Sequence, residues 1–189
     1  MSEGRLDEAS LNEGSSNEGG PSVHASAVKI GTSAVLIRGP SGSGKSRLAF
    51  DLIMAGRSGV VERAVLVGDD RVHLATVGNE IEVRPAPRLA GLIEIRGLGI
   101  RRCDFVEHAT VGLVVDLDAT DAERLPPAES LKTAILGVEI PRIPVGRDYS
   151  PLLLVVAALT TTKSSSSVNP SGDCLKGNGN HMNPTIATE

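Results

Sequence analysis

Apolar and polar positions change period several times along the chain, and each change predicts an element. Residues 33–39, "SAVLIRG", carry a nearly unbroken apolar run, the pattern of a buried strand. Residues 45–56, "KSRLAFDLIMAG", place Leu48, Leu52 and Ile53 on one side of a helix, with Gly56 as its expected stop. Residues 63–70, "RAVLVGDD", read as a second buried strand ending in two acids. Strict alternation then takes over in 71–85. Val72, Leu74, Ile81 and Val83 share a face, and Gly78-Asn79 supply the turn of a hairpin. Residues 109–119, "ATVGLVVDLDA", are another strand with an acidic C-terminal end. Residues 138–145, "VEIPRIPV", predict an edge strand, because the two prolines cannot donate to a ladder. Residues 150–160, "SPLLLVVAALT", predict a helix with Ser150 as N-cap and Pro151 at the first helical position. That helix is apolar on all sides, which predicts burial rather than a surface position. Strands alternating with helices predict an α/β sheet.

The flanks lack such patterns. Residues 1–21 are rich in Glu, Ser, Gly and Asn, and 163–189 are rich in Ser, Asn and Gly. Neither stretch can bury enough apolar surface to offset the entropy of ordering, so both are expected to be disordered tails. The folded domain is expected over 22–162, without an internal repeat. The chain is 40% hydrophobic but only 2% aromatic, so its core must be aliphatic. Its net charge is −4, and residues 1–20 hold five acids and one base. The rest is therefore balanced, which argues against a nucleic-acid surface. The longest apolar run, "LLLVVAAL", is too short to span a bilayer, and the polar, acidic N-terminus is not a signal peptide, so a cytoplasmic location is expected. Cys103 and Cys174 are distant and have neither metal spacing nor a disulfide framework.

The strongest chemical motif is "GPSGSGKS", residues 39–46, which satisfies G-x-x-x-x-G-K-[ST] between a strand and a helix. Gly39, Gly42 and Gly44, together with Pro40, Ser41 and Ser43, form a loop whose backbone N–H groups can surround phosphate oxygens. The helix N-terminus adds partial positive charge. Lys45 would reach the outer phosphates and the Ser46 hydroxyl would ligate Mg²⁺. The motif points to a nucleoside triphosphate but leaves the reaction open. "GDD", residues 68–70, ends a strand, the edge of an α/β sheet at which ligands bind. One of Asp69 and Asp70 could order Mg²⁺ while the other accepts a proton from a hydroxyl nucleophile; spacing does not say which. Residues 93–100, "IEIRGLGI", begin as an alternating strand, with Glu94 and Arg96 opposite Ile93 and Ile95. Gly97 and Gly99 would then let the backbone turn.

The ordered series of a His before the loop (His24 in "VHASAVKI"), "GPSGSGKS", "DDRV", "IEIRGLGI" and "PVGRD" followed by an apolar helix resembles HPr kinase/phosphorylase, over about residues 22–160. The resemblance implies a P-loop kinase domain similar to the nucleotide-binding part of phosphoenolpyruvate carboxykinase. It implies ATP at residues 39–46, with Lys45 catalytic. Ser46 and Glu94 would be the Mg²⁺ ligands, and Asp70 the acid/base, with His24 and Arg124 as further active-site residues. The implied reaction is phosphorylation of a serine of HPr, the phosphocarrier of the bacterial phosphotransferase system. Phosphorolysis is also implied, in which inorganic phosphate takes the phosphoryl group back and yields pyrophosphate. The run "RIPVGRD" is shorter than the family's corresponding run. The family's N-terminal domain has no counterpart in the sequence, which suggests a short form, and its usual hexamer makes a homo-oligomer an expectation. Two other readings of the loop are a small-molecule kinase and a nucleotide-sensing module with little catalysis.

Overall fold

A computed structural model describes residues 22–162. Both expected tails, and Cys174 with them, lie outside the described residues. The elements in chain order are β1 (Ser22–Val23), β2 (Ser26–Ile30), β3 (Ser33–Arg38), α1 (Lys45–Arg57), β4 (Ala64–Gly68), β5 (Val72–Val77) and β6 (Glu80–Pro85). A short 3₁₀ turn at Pro87–Leu89 leads to β7 (Leu92–Ile95), β8 (Gly99–Arg102), β9 (Ala109–Leu117), β10 (Lys132–Ile135), β11 (Val138–Val145) and α2 (Pro151–Thr160).

The centre is a mixed sheet in which β3, β9 and β11 run parallel, and β2 lies antiparallel between β3 and β4. The crossover from β3 through α1 to β4 is the α/β unit the sequence predicts. The alternation of strands and helices is not sustained beyond it. Antiparallel hairpins β5–β6, β7–β8 and β10–β11 supply most of the remaining structure. The β5–β6 hairpin joins the sheet where Val83 pairs with Ala109, at the start of β9.

Strand β3 shows why its apolar run is unbroken. Val35 and Ile37 enter a core with Leu48, Leu52 and Ile53 of α1 and Val155 of α2. Ala34 and Leu36 enter a second core with Val72, Leu74, Ile81 and Val83 of the β5–β6 hairpin. A strand covered on both faces has no polar side to show. Each fully buried aliphatic side chain of these cores stabilises the fold by roughly 1.5–3 kcal/mol.

Three expectations need correction. Gly56 does not stop α1, which continues to Arg57 and reaches its C-cap at Ser58. A Cβ on Gly56 would lie 2.6 Å from the backbone nitrogen of Ala64, so glycine lets β4 approach the last helical turn. Strand β11 is not a simple edge. Its first half pairs antiparallel with β10 and its second half parallel with β9, so each half has its own partner. Helix α2 is placed as predicted but is not buried all round. Val155 is fully buried, whereas Leu153 is 67% exposed. One face of α2 packs on the α1 core, and no element among the described residues covers the other.

Candidate active site

The parallel strands end on one edge, and the chemistry collects there. From β3 the chain enters the loop 39–44, in which Gly39, Gly42 and Gly44 all have positive φ. Added Cβ atoms on Gly42 and Gly44 would meet open space, so their role is conformational rather than steric. Gly39 is different: a Cβ there would lie 2.7 Å from Ser43 Oγ and 3.0 Å from Leu117 at the end of β9. The Ser43 hydroxyl oxygen is buried and has no hydrogen-bond partner among the described residues. Lys45 folds back, and its ammonium donates to the Gly39 and Pro40 carbonyls, both at 2.9 Å. Burial holds the Lys45 pKa below the ordinary lysine value, while the charges of Asp69 and Asp70 pull it back up. The loop thus offers an open cradle, a spare buried hydroxyl and a desolvated cation. Pro40 and Ser41 are exposed on its outer side, and Ser46 is half-buried in the first turn of α1.

The "GDD" segment separates its two acids. Asp69 is 3% exposed and turns inward. It accepts from Ser26 Oγ at 2.5 Å and from the Glu94 backbone N–H at 3.1 Å. Its oxygens therefore tie β2, β4 and β7 together. Asp70 turns outward. Arg71 N–H donates to the Asp69 carbonyl at 2.8 Å, and Asp70 has φ 65°. That is the signature of a tight γ-turn, a strained conformation of the kind that concentrates at functional sites. Register explains its neighbour. Val23 of β1 pairs with Val72 of β5, and Ala27 of β2 pairs with Gly68 of β4. The residues between are pulled across the "GDD" turn, and His24 Nε2 comes to 3.3 Å from Asp70 Oδ1.

Glu94 lies on β7, with its side chain exposed while Ile93 is buried beside it, as the alternation predicts. The chain then turns over residues 96–98, with Gly97 at φ 88° and Gly99 at φ 77°, and returns as β8. No cluster of three or more His, Cys, Asp or Glu among the described residues forms a metal cage. The structure pairs His24 with Asp70; the charges of Asp69 and Asp70 reach Lys45, and it is the backbone N–H of Glu94, not its carboxylate, that is bonded to Asp69. Arg124 is not brought against this group. It is exposed in the loop that leaves β9.

Two contributors escape a reading of the sequence alone. Ser26 opens the strand "SAVKI", where nothing marks it as functional, and its hidden partner Asp69 is 43 residues away. Arg142 joins Asp116 at 2.5 Å and Asp121 at 2.6 and 3.0 Å, and Arg38 holds Asp116 from its other side at 2.7 Å. The one sequence signal for this network is a charge near the end of β3 and of β9 and a lone arginine inside the otherwise apolar second half of β11.

Fold and site together define an α/β protein with a glycine-rich strand-to-helix loop and a His–Asp pair at the C-terminal edge of its parallel strands. The chain belongs to the family described as HPr Serine kinase C-terminal domain, whose model matches residues 19–175. It is 35% identical over 156 residues to the HPr kinase/phosphorylase of Mycoplasma mycoides, covering 74% of this chain and 47% of that protein. To the HPr kinase/phosphorylase of Geobacillus thermodenitrificans it is 34% identical, covering 72% of this chain and 47% of that one. The chain thus spans about half the length of the curated relatives it matches. The solved structure of the Hpr(Ser) kinase/phosphatase from Coxiella burnetii superposes with a TM-score of 0.59 at 27% identity. That match covers 72% of this chain and 92% of that one.

Proposed function

We propose that this chain is an ATP-dependent serine kinase acting on HPr, built on a nucleotide-binding fold like that of phosphoenolpyruvate carboxykinase. The observation that carries this reading is the division of labour in "GDD". Asp69 is spent on the scaffold, and Asp70 stands exposed beside His24, close enough to Lys45 to act on its charge. A phosphate loop alone serves many reactions; a loop with a free carboxylate–histidine pair beside it suits transfer to a hydroxyl.

In this reading residues 39–46 bind the triphosphate through backbone N–H groups, with the buried Ser43 hydroxyl as an additional donor. Lys45 exchanges its bonds to Gly39 and Pro40 for phosphate oxygens. The hard oxygen donors Ser46 and Glu94 suit Mg²⁺, which takes one or two protein ligands alongside substrate phosphates. When bound it would neutralise charge on the transferred phosphoryl group. Asp70 accepts the serine proton as the oxygen attacks, and His24 orients that carboxylate. In the reverse direction the protonated Asp70 returns the proton to the leaving serine oxygen while inorganic phosphate attacks. Arg124 serves as a further cation toward phosphate.

The test is incubation with Mg²⁺, ATP and HPr, followed by intact-mass analysis of HPr. A gain of about 80 Da, one phosphoryl group, is expected. HPr that stays unmodified while ATP and HPr both bind would make the chain a nucleotide-dependent sensor instead. Phospho-HPr given inorganic phosphate is expected to lose the group and release pyrophosphate.

A further inference from the structure

The loop from Asp118 to Leu131 has no regular structure, and loops of that length inside a compact domain are commonly functional. It begins at the same sheet edge as the phosphate loop, because β9 is the parallel neighbour of β3. Its first half lies across the end of β11. Ala119 N–H donates to the Val145 carbonyl at 3.0 Å, and Ala122 Cβ lies against Gly146. Arg124 follows two residues later.

One guanidinium grips this loop at both ends. Arg142, in the middle of β11 and 13% exposed, makes a two-pronged pair with Asp121 near the start of the loop. It also donates to the Ser130 carbonyl at 3.0 Å near the loop's end, and its backbone N–H donates to the Leu131 carbonyl at 2.9 Å. The side chain is anchored in turn by Asp116 of β9, itself held by Arg38 of β3. Arg38 is the residue immediately before Gly39. A continuous chain of charge-assisted bonds therefore runs from the root of the phosphate loop to both ends of the loop that carries Arg124. Within that clamp Arg124 itself makes no hydrogen bond or ion pair among the described residues. Arg124 is thus an exposed cation without a partner, on a fastened loop that starts at the sheet edge where the phosphate loop starts, and it is available to an anion that reaches that edge.

We propose that Arg142 is a positioning residue that fastens loop 118–131 so that Arg124 meets the phosphates of bound nucleotide. The proposal rests on the reading of residues 39–46 as a nucleotide site. Its first test does not require phosphoryl transfer. Trypsin cuts after Arg124, and ATP is the probe. In the wild type, ATP is expected to slow cutting at Arg124 by about tenfold, the scale of one charged contact. In Asp121→Asn, which keeps the anchor to Asp116, that protection is lost even at saturating ATP, and ATP affinity falls by no more than the same factor of about ten. The conservative Arg142→Lys keeps the charge but not the fork and is expected to behave like Asp121→Asn. Absence of protection in the wild type, or equal protection in the variants, overturns the proposal whether or not HPr is phosphorylated. If protection holds but HPr gains no mass, the clamp stands and the kinase reading falls. Where transfer is seen, Asp121→Asn should lower kcat/KM for ATP, and should add nothing in an Arg124→Ala background. Additive losses in that double-mutant cycle would mean that the clamp acts only through general stability.

Discussion

Two adjacent aspartates with identical side chains are given opposite tasks by their surroundings. Asp69 is sealed in, with Ser26 Oγ and Glu94 N–H occupying its oxygens. Asp70, one residue later, is at positive φ and 66% exposed at its side chain, against His24. This separates two substitutions cleanly. Asp70→Asn keeps a residue type that tolerates positive φ and removes the proton acceptor. Transfer to HPr should fall by about 10²–10⁴-fold, with ATP affinity and melting temperature unchanged. Asp69→Ala leaves a buried hydroxyl and a backbone N–H without their acceptor and should cost about 1–3 kcal/mol of stability. Chemical denaturation measures the second effect and a transfer assay the first. Near wild-type transfer by Asp70→Asn would remove the base from its role. Sequence spacing could not have assigned these parts, because the difference lies in which acid faces β2 and β7, strands far away in the chain.

At the level of elements, patterns were readable where one face meets one environment. The hairpin 71–85 alternates because one side lies on the second core, and both its strands and its Gly78-Asn79 turn follow from that. Strand β10 was unreadable. Its four residues include one buried side chain, Ile135, and their order comes from β11. Helix α2 misled because an all-apolar sequence states a preference for burial without supplying a partner for every side. Helix α1 gives the sharpest check. By helix propensity alone, Gly56→Ala should stabilise by about 1 kcal/mol. The added Cβ would sit 2.6 Å from Ala64 N and 2.7 Å from Ala64 Cβ, and neither can swing away as a long side chain would. Overpacking should win, with net destabilisation of about 1–3 kcal/mol read as a lower midpoint in urea. A raised midpoint would show that β4 can move off the helix end, and that Gly56 is not required there.

Across the whole molecule, the two cores bind the layers and the charged network binds the strand ends. Asp116 lies at the centre of that network, 16% exposed, between Arg38 on β3 and Arg142 on β11. Burial alone would raise its pKa, but the bonds and charges of the two guanidiniums outweigh this and hold it below the ordinary aspartate value. Asp121 is also held low, first by its hydrogen bonds from Arg142. A carboxyl with a lowered folded-state pKa binds its proton more readily in the unfolded chain. Its stabilisation is complete above the ordinary aspartate value, about 3.9, and is lost as pH falls through the lowered folded value. Asp121 should contribute the smaller part, because its carboxylate is half-exposed and screened by solvent. Asp116→Asn leaves two guanidiniums facing a neutral amide and should cost up to about 3 kcal/mol near neutral pH. That deficit should shrink steadily below about pH 4, as the wild-type carboxylate itself takes up a proton. Urea denaturation of both proteins from pH 7 to pH 3 measures the convergence. Two stability curves that stay parallel throughout would mean that Asp116 holds the strand ends by shape and hydrogen bonding, with its charge contributing nothing.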